Sequence, residues 1–239
     1  MQPKAWLSWS SGKDSAWSLY VVRERCELEV VGLLTTVNRT HGRVAMHAVR
    51  ESLLEAQAAA ADLPLITVPI PSPCSNEEYE SAMAAAIGRA QSEGVTHMVF
   101  GDLFLEDIRR YREEQLAKSK IVPVFPLWGI PTHRLAKEML AGGLRALITC
   151  VDPQKLDKSF AGREWSAELL VDLPDSVDPC GENGEFHTVA FAGPMFRNSI
   201  DVRGGEILER DGFWFADFVP DGQSTDSTVN YYKRPLSVK

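Results

Sequence analysis

The chain has 239 residues, of which 44% are apolar, and a formal net charge of −8. That length allows one large domain or a main domain with a smaller partner. No apolar run approaches the ~18 residues of a membrane helix, and no basic block indicates a general nucleic-acid surface. The four cysteines are far apart, which argues against a zinc site and a disulfide framework. Because no secretory signal pattern opens the chain, a reducing cytoplasm is the predicted location.

The first predicted strand, residues 5–9, runs into a polar turn that we name the phosphate turn: Ser10, Ser11, Gly12, Lys13, Asp14 and Ser15. A helix follows from about residue 16. Such a turn directs N–H groups, hydroxyls and the positive end of a helix dipole to one point, as a phosphate group requires. Gly12 permits close approach, Lys13 adds a cation, and Asp14 is the candidate Mg²⁺ ligand. A helix cap alone explains only one or two of these residues.

Strands and helices alternate over residues 1–152. Further strands are predicted at residues 28–36, 65–70, 96–101 and 144–151, with an edge strand within 121–127, and helices at 16–25, 48–61, 76–93, 105–118 and 132–141. Residues 38–43 are a predicted loop. The alternation is typical of a doubly wound α/β sheet, whose ligand lies at the carboxyl ends of the strands. Four such ends are expected to line one cleft: the phosphate turn, Thr35 with Thr36, Gly101 with Asp102, and residues 150–152.

The alternation stops after residue 152. Residues 153–220 are predicted to form a smaller α+β domain, with short strands near 189–191, 200–202 and 213–219, followed by a polar tail at 221–239. Residues 180–188, here named the acidic loop, read Cys-Gly-Glu-Asn-Gly-Glu-Phe-His-Thr. A turn before a strand explains the Asn-Gly pair. Two glutamates three residues apart favour an amine or metal site or a general base. The predicted substrate contacts are Gly181, Glu182, Asn183, Gly184, Glu185, His187 and Thr188.

Both loops carry a family resemblance. The phosphate turn resembles the Ser-Gly-Gly-x-Asp-Ser loop of PP-loop ATP pyrophosphatases, with Ser11 in place of the first glycine. A serine there is expected to be tolerated only at negative φ. The acidic loop is similar to Cys-Gly-Glu-Gly-Gly-Glu-Tyr/Phe-Glu-Thr of the diphthine–ammonia ligases, with Asn183 and His187 as departures. Residues 101–113 resemble that family's Gly-Ala-Ile-x-Ser-Asp-Tyr-Gln-Arg-x-Arg-Val-Glu, with Leu-Glu-Asp-Ile in place of Ser-Asp-Tyr-Gln. The resemblance spans about residues 4–205.

The resemblance implies a HUP-like, five-stranded PP-loop domain and a smaller substrate domain. It also implies an ATP- and Mg²⁺-dependent ligase that adenylates a carboxylate, releases pyrophosphate, and lets ammonia displace AMP. In the family that carboxylate belongs to diphthine on translation elongation factor 2. The candidate catalytic residues are Lys13, Asp14, Arg109, Glu182 and Glu185. The candidate nucleotide-binding residues are Ser10, Ser11, Gly12, Lys13, Asp14, Ser15, Thr35, Thr36, Gly101 and Asp102.

Alternatives stay open at this point. The departures from the family pattern leave room for a small-molecule acid or another protein as the acceptor of the same ATP chemistry. A nucleotide-binding regulator without turnover is a second alternative, and substitution of Asp14 would separate it from an enzyme. A tRNA-thiolating PP-loop enzyme is disfavoured, because the chain lacks paired cysteines and a basic surface. The predicted partners are ATP and ammonia, with a homodimer as the candidate assembly.

Overall fold

A computed structural model describes residues 2–38, 43–44, 49–71 and 73–221 of the chain. Most of the predicted loop at 38–43, the predicted start of a helix at residue 48 and nearly all of the predicted polar tail at 221–239 lie outside the described residues. No helix in the described ranges is long and apolar enough to cross a membrane.

The first sheet contains five parallel strands and one short antiparallel piece: β1 (Lys4–Ser8), β2 (Glu29–Asn38), β3 (Arg43–Val44), β4 (Leu65–Ile70), β5 (Val95–Val99) and β6 (Val122–Val124). The parallel order is β4-β2-β1-β5-β6, and β3 pairs antiparallel with the end of β2. The predicted five-stranded parallel sheet, with its fifth strand at the edge, is confirmed. The direction of winding reverses between β1 and β5, so a ligand crevice is expected at their carboxyl ends.

Helices α1 (Lys13–Arg25), α2 (Glu51–Ala61), α3 (Asn76–Ser92) and α4 (Glu106–Leu116) cover the two faces of this sheet. Helix α5 (Thr132–Ala141) adds its buried residues to the apolar cluster of α1, and the short α6 (Ala167–Asp172) packs against residues 164–165 of the second sheet. The buried residues of α1 and α2 belong to one apolar cluster, and those of α3 and α4 belong to another on the opposite face. Trp9 and Trp17 lie in the first cluster and Trp6 in the second. The core therefore has two layers with the parallel sheet between them.

A second, antiparallel sheet contains β7 (Arg145–Val151), β8 (Glu164–Trp165), β9 (Phe186–Ala192), β10 (Val202–Arg210) and β11 (Phe213–Pro220). β7 is its central strand, because it pairs with β9 along one edge and with β8 and β11 along the other. The prediction that residues 144–151 belong to the parallel sheet was therefore wrong. A strand buried on both faces is a continuous apolar run in either kind of sheet, so its pattern does not reveal its partners.

The predicted short strand at residues 200–202 was also misplaced, since β10 begins at Val202 and continues to Arg210. The domain boundary at residue 152 stays a prediction. From the membership of β7 in the second sheet, we propose that the smaller unit begins before Arg145.

The two sheets share one apolar core and several polar links. Arg23 on α1 donates hydrogen bonds to the carbonyl oxygens of Met195 and Ala61, at 2.9 and 2.7 Å. Arg50, at the start of α2, forms a buried ion pair with Asp217 of β11 at 2.7 Å. These contacts hold the segment after β9 to α1 and hold β11 to the start of α2.

Candidate active site

The phosphate turn connects β1 to α1 at the reversal point of the sheet. Gly12 precedes the helix and, as a glycine, provides no capping side chain of its own. The Ser10 and Ser15 hydroxyl oxygens are 3.1 Å apart, and the Ser15 hydroxyl donates to the Gly12 carbonyl at 3.0 Å. Gly101, just after β5, packs against the start of α1, because a Cβ there would lie 3.0 Å from the Ser15 nitrogen. Such a contact is tighter than nearly all real Cβ contacts, so glycine at residue 101 favours the close approach of the end of β5 to the turn.

Ser11 has a φ of +73°, in the left-handed region. The expectation that this serine keeps a negative φ was therefore wrong. Its side chain is fully buried, and its hydroxyl has no hydrogen-bond partner among the described residues. Its carbonyl accepts from the Ala190 N–H and from the Gln57 side chain, both at 2.9 Å. These two donors hold the turn in a conformation that a serine disfavours by roughly 1–2 kcal/mol.

Lys13 links the turn to the acidic loop. Its Nζ donates to Asp14 Oδ2 at 2.9 Å and to the carbonyl oxygen of Cys180. The ammonium also lies 5.6 Å from the ring centroid of Trp165 and 5.5 Å from that of Phe186. Burial is the largest single influence and lowers the pKa of Lys13, but the neighbouring acidic groups, Asp14 foremost, together outweigh burial and leave the pKa above its usual value. Lys13 is therefore a charged residue whose donors are largely engaged within the protein.

The acidic loop enters the cleft beside the turn. The Thr188 hydroxyl oxygen accepts a hydrogen bond from the Lys13 N–H at 3.1 Å, and the Ala190 N–H donates to the Ser11 carbonyl at 2.9 Å. A cavity of about 400 Å³ lies between the turn and this loop. Besides Ser8, Phe100 and Cys180 it is lined by Ser10, Gly12, Lys13, Asp14, Ser15, Gly101, Asp102, Leu105, Ile108, Arg112, Gly181, Glu182, Gly184, Phe186, His187 and Thr188. We name this space the phosphate cavity.

Glu182 is the acid of the loop that faces the phosphate cavity. Its Oε1 accepts a hydrogen bond from the Leu103 N–H at 2.8 Å, and its Oε2 has no hydrogen-bond partner among the described residues. Burial raises the pKa of Glu182 to about 7, opposed by the Leu103 N–H and increased further by the Asp14 carboxylate. A carboxyl group with a pKa near neutrality is suited to accept a proton in catalysis.

Two other predicted substrate residues of the acidic loop, Glu185 and Asn183, do not line the phosphate cavity. Glu185 is buried, and its Oε1 accepts from the Asp178 N–H at 3.0 Å and from the Asn183 amide at 3.2 Å. Asn183 is exposed, and its carbonyl accepts from Lys155 at 2.7 Å. The turns require the positive φ of Gly181 (+71°) and Gly184 (+80°). The predicted substrate roles of Glu185 and Asn183 stay predictions.

His187 and Asp102 complete the titratable lining of the phosphate cavity. Burial, with help from the positive charges of Lys13 and Lys155, lowers the pKa of His187 to about 4. His187 is thus neutral at pH 7. Burial raises the pKa of Asp102, and the neighbouring Arg112 guanidinium opposes that shift.

A second, mainly apolar cavity of about 300 Å³ adjoins the phosphate cavity, and we name it the apolar cavity. Its volume is at the lower end of the range for small-molecule sites. Thr35 and Thr36, towards the end of β2, line it, and their assignment to the nucleotide site stays a prediction. The other lining residues include Leu34, Tyr79, Met83, Ile87, Met98, Tyr111, Gln115 and Leu116. Ser8, Ser10, Phe100 and Arg112 line both cavities and mark their junction.

Arg109 and Arg112 both belong to α4, but only Arg112 lines the two cavities. Arg109, the predicted catalytic arginine, lines neither cavity. It pairs with Glu113 at 2.8 Å and stacks near Phe125 and Trp128. Its catalytic role stays a prediction that the geometry does not support. Residues 150–152, the fourth predicted strand end, also lie outside both linings.

Asp14 provides a fit for a divalent cation. Its Oδ2 accepts from Lys13, whereas its Oδ1 is buried without a hydrogen-bond partner among the described residues. Burial raises the pKa of Asp14, and the Lys13 ammonium opposes this. Within the described ranges no three His, Cys, Asp or Glu residues form a cation cluster. Mg²⁺ commonly uses one or two carboxylates together with substrate phosphates, so a single free carboxylate oxygen beside a phosphate turn suits it.

Sequence reasoning missed several residues that build the site. Gln57, on the alanine-rich α2, is fully buried and bonds the Trp9 indole, the Ser11 carbonyl and the Ala190 carbonyl. A lone polar residue within an apolar helical face was its only sequence signal. Three residues of α3 that line the apolar cavity are spaced four apart: Tyr79, Met83 and Ile87. That spacing indicates a buried helical face but does not distinguish core from ligand wall.

Comparison with known families matches two models to this chain. The model described as diphthamide synthase N-terminal domain matches residues 3–120, and that described as diphthamide synthase C-terminal domain matches residues 131–219. A diphthine–ammonia ligase of Mus musculus is 28% identical over 152 residues, which cover 60% of this chain and 55% of the relative. One of Danio rerio is 32% identical over 111 residues, 44% of this chain and 43% of the relative. The chain spans about half the length of these curated relatives.

Proposed function

Because the chain belongs to the diphthamide synthase family, we propose that it is an ATP-dependent ligase that joins ammonia to a carboxylate. One observation carries the proposal. The acidic loop of the second sheet and the phosphate turn of the first line the same cavity and are bonded to each other through Thr188 and Lys13. A nucleotide held by the turn would therefore lie beside Glu182, which suits group transfer to a second substrate.

The two adjoining cavities support a placement for ATP. The apolar cavity, at the ends of β2 and β5, would take the adenosine, with Thr35 and Thr36 at its wall. The polyphosphate would lie on the phosphate turn, where the positive end of α1 and the turn hydroxyls favour an anion. The junction at Ser10 and Arg112 would then adjoin the ribose and the α-phosphate.

The proposed reaction has two displacements. An oxygen of the acceptor carboxylate attacks the α-phosphorus, and the bond to pyrophosphate breaks. Ammonia nitrogen then attacks the acyl carbon, and the bond to AMP breaks, which leaves an amide. The nitrogen loses a proton in this step, and Glu182 is positioned to take it through its free Oε2. The main contributions of the protein are positioning and charge stabilisation.

Asp14 would hold Mg²⁺ through its free Oδ1 together with phosphate oxygens, and the bound ion would neutralise the polyphosphate and favour pyrophosphate as the leaving group. Lys13 keeps Asp14 in place, since its ammonium bonds the other carboxylate oxygen. Asp14→Asn is expected to remove this ion site while it preserves the shape of the turn.

Product analysis tests the proposed function. The protein is incubated with ATP, Mg²⁺, ammonium and diphthine-containing elongation factor 2, and the nucleotide products are separated. AMP and pyrophosphate that form only with acceptor and ammonium present are the expected result. ADP and phosphate, or no turnover with any carboxylate, would overturn the proposal. In the same assay Asp14→Asn is expected to abolish turnover, whereas a regulator without turnover would show none in either form.

A different carboxylate is the second candidate for the acceptor. Two apolar side chains of the α4 region, Leu105 and Ile108, line the phosphate cavity where the resembled family has Ser and Gln. They favour an acid with an apolar group near its carboxylate. Pyrophosphate exchange into ATP, screened over small aliphatic and aromatic acids, tests this candidate; it fails if only the elongation-factor substrate supports exchange. The cytoplasmic location and the homodimer stay predictions.

A further inference from the structure

The phosphate cavity contains few cations that a bound anion can use. Its basic lining residues are Lys13, Arg112 and His187. Lys13 is bonded to Asp14 and to the Cys180 carbonyl, and its ammonium lies between two aromatic rings. His187 is neutral at pH 7 because its pKa is lowered to about 4. Among the described residues of the lining, this leaves Arg112 as the cation with donors to spare.

Arg112 projects from α4 to the junction of the two cavities. Its guanidinium carbon lies 5.2 Å from the ring centroid of Phe100, which supports one face of the group. Its Nε is 3.7 Å from Asp102 Oδ2, close enough for an ion pair but too far for a hydrogen bond. Both of these atoms are buried and have no hydrogen-bond partner among the described residues.

Arg112 Nε and Asp102 Oδ2 are thus a buried donor and a buried acceptor without a hydrogen bond between them. Because buried polar atoms are normally hydrogen-bonded, this arrangement indicates that a ligand completes the site. Asp102 orients the guanidinium, and Phe100 supports its plane. A planar guanidinium with unmet donors fits the oxygens of a phosphate group in a way that a lysine ammonium does not. When the adenosine occupies the apolar cavity and the polyphosphate lies on the turn, as proposed above, the α-phosphate lies at the junction of the two cavities.

We infer that Arg112 is a catalytic residue that contacts the α-phosphate of the nucleotide, an inference that rests on the proposed function. It replaces Arg109 as the arginine of the site. Arg109 has its Nε bonded to Glu113 and lies against Phe125 and Trp128, outside both cavities. The motif comparison missed Arg112 because position 112 corresponds to a valine in the resembled family segment.

A ligand series isolates the contact. Affinities for adenosine and AMP are measured by titration calorimetry for the wild-type chain, Arg112→Met, Arg112→Lys, Arg109→Met and the exposed neighbour Arg110→Met. Loss of a charged hydrogen-bonding partner predicts that AMP binds Arg112→Met about 10- to 100-fold more weakly. Adenosine affinity should change less than about twofold, and it reports at the same time that the site is folded. Arg112→Lys should recover only part of the AMP affinity.

The matched control is Arg110→Met, which removes the same charge from the same helix at an exposed position outside both cavities. It should bind AMP as the wild-type chain does. Equal losses of adenosine and AMP in Arg112→Met, unchanged AMP affinity, or an AMP-specific loss in Arg109→Met would each overturn the inference and leave the ligase proposal standing. Failure of the wild-type chain to bind AMP, ATP or adenosine would overturn the ligase proposal and, with it, this inference.

Discussion

Glu182 shows how one side chain acquires a chemical role from its surroundings. Burial and the nearby Asp14 and Asp102 carboxylates disfavour its charge, whereas the Leu103 N–H favours it. The result is a pKa of about 7, above the ordinary 4.5. The acidic loop supplies the carboxylate, but its pKa depends on strands and helices that are distant along the chain.

We expect a pH dependence with a defined sign. Glu182 must be ionised to accept a proton, so kcat/KM, expressed per concentration of unprotonated ammonia, should fall as pH falls through about 7. The side chain of Glu182→Gln can still accept a hydrogen bond from the Leu103 N–H. In this variant the fall of kcat/KM below about pH 7 should disappear, and the rate should be lower by a factor of about 10² to 10⁴. Pyrophosphate exchange should persist in this variant, because carboxylate attack does not use the base. Loss of exchange as well would contradict the assignment.

Stability provides a second readout of the same ionisation. A raised pKa in the folded state means that the protonated carboxyl stabilises the fold, fully below the unfolded pKa of 4.5 and progressively less as pH rises through about 7. The free energy of unfolding of Glu182→Gln should therefore rise relative to the wild-type chain between those two pH values. A constant difference across that window would show that the pKa is not raised.

Ser11 carries backbone strain at the turn. Its φ of +73° suits glycine, and its buried hydroxyl finds no partner among the described residues. Ser11→Gly should raise the free energy of unfolding by about 1 kcal/mol, as measured by urea denaturation. Ser18 is the matched control. Its hydroxyl is also buried without a hydrogen-bond partner among the described residues, but its backbone is helical. Ser18→Gly should lower stability by about 1 kcal/mol, so a loss in both variants would contradict the strain.

At the scale of elements, Gln57 joins three segments. From α2 it accepts from the Trp9 indole at 2.8 Å and donates to the carbonyls of Ser11 at 2.9 Å and Ala190 at 2.7 Å. One amide therefore ties the end of β1, the phosphate turn and β9 together. All three bonds are buried, so they are strong relative to surface bonds and costly to lose.

Gln57→Leu should destabilise the protein by roughly 2–4 kcal/mol, because it leaves the Trp9 indole N–H without an acceptor and removes a donor from two carbonyls. Gln57→Glu keeps the acceptor for Trp9, but it loses the donated bonds and buries a carboxyl group against two carbonyl oxygens, so it should destabilise the protein at least as much. The two variants are compared by urea denaturation, with the exposed Gln91→Leu on α3 as the control. Equal stability of Gln57→Leu and Gln91→Leu would show that the bridge contributes nothing.

The predicted elements were most accurate where residues with marked local preferences, such as the phosphate turn or a proline, adjoin or interrupt a strand. The strand before the phosphate turn and the edge strand limited by Pro123 lie where their residues predicted. β7 was assigned to the wrong sheet because its apolar run carries no information about the direction of its neighbours. Arg112 was missed for a related reason, since its charge on α4 looks like that of Arg109 and Arg110 until the helix is placed against the cleft.

At the scale of the whole molecule, the buried pair of Arg50 and Asp217 holds the second sheet against α2. The Arg50 and Asp217 side chains are 11% and 0% exposed, and the Arg50 guanidinium bonds the carboxylate through Nε and Nη2. A buried carboxylate without its cation is expensive, whereas replacement of both partners by apolar residues is often neutral.

Arg50→Met alone should therefore cost about 3–5 kcal/mol of unfolding free energy, and Arg50→Met with Asp217→Leu should recover most of it. The control is Arg134→Met, which breaks an exposed pair with Glu138 and should cost less than about 1 kcal/mol. Denaturation of five proteins measures the coupling: the wild type, Arg50→Met, Asp217→Leu, the double variant and Arg134→Met. If the double variant is as unstable as the sum of the single changes predicts, the two sheets are not held by this pair.

Local chemistry in the sequence determined the phosphate turn, the acidic loop and the alternating parallel sheet, because short-range capping, turn and periodicity rules act on neighbouring residues. Only the tertiary structure decided which residues meet. It brought Thr188 to the Lys13 N–H, placed Glu182 beside Asp14, buried Glu185 behind the loop, and set Arg112 rather than Arg109 at the junction of the cavities. Such meetings depend on how two sheets pack, and that packing joins residues more than a hundred positions apart along the chain.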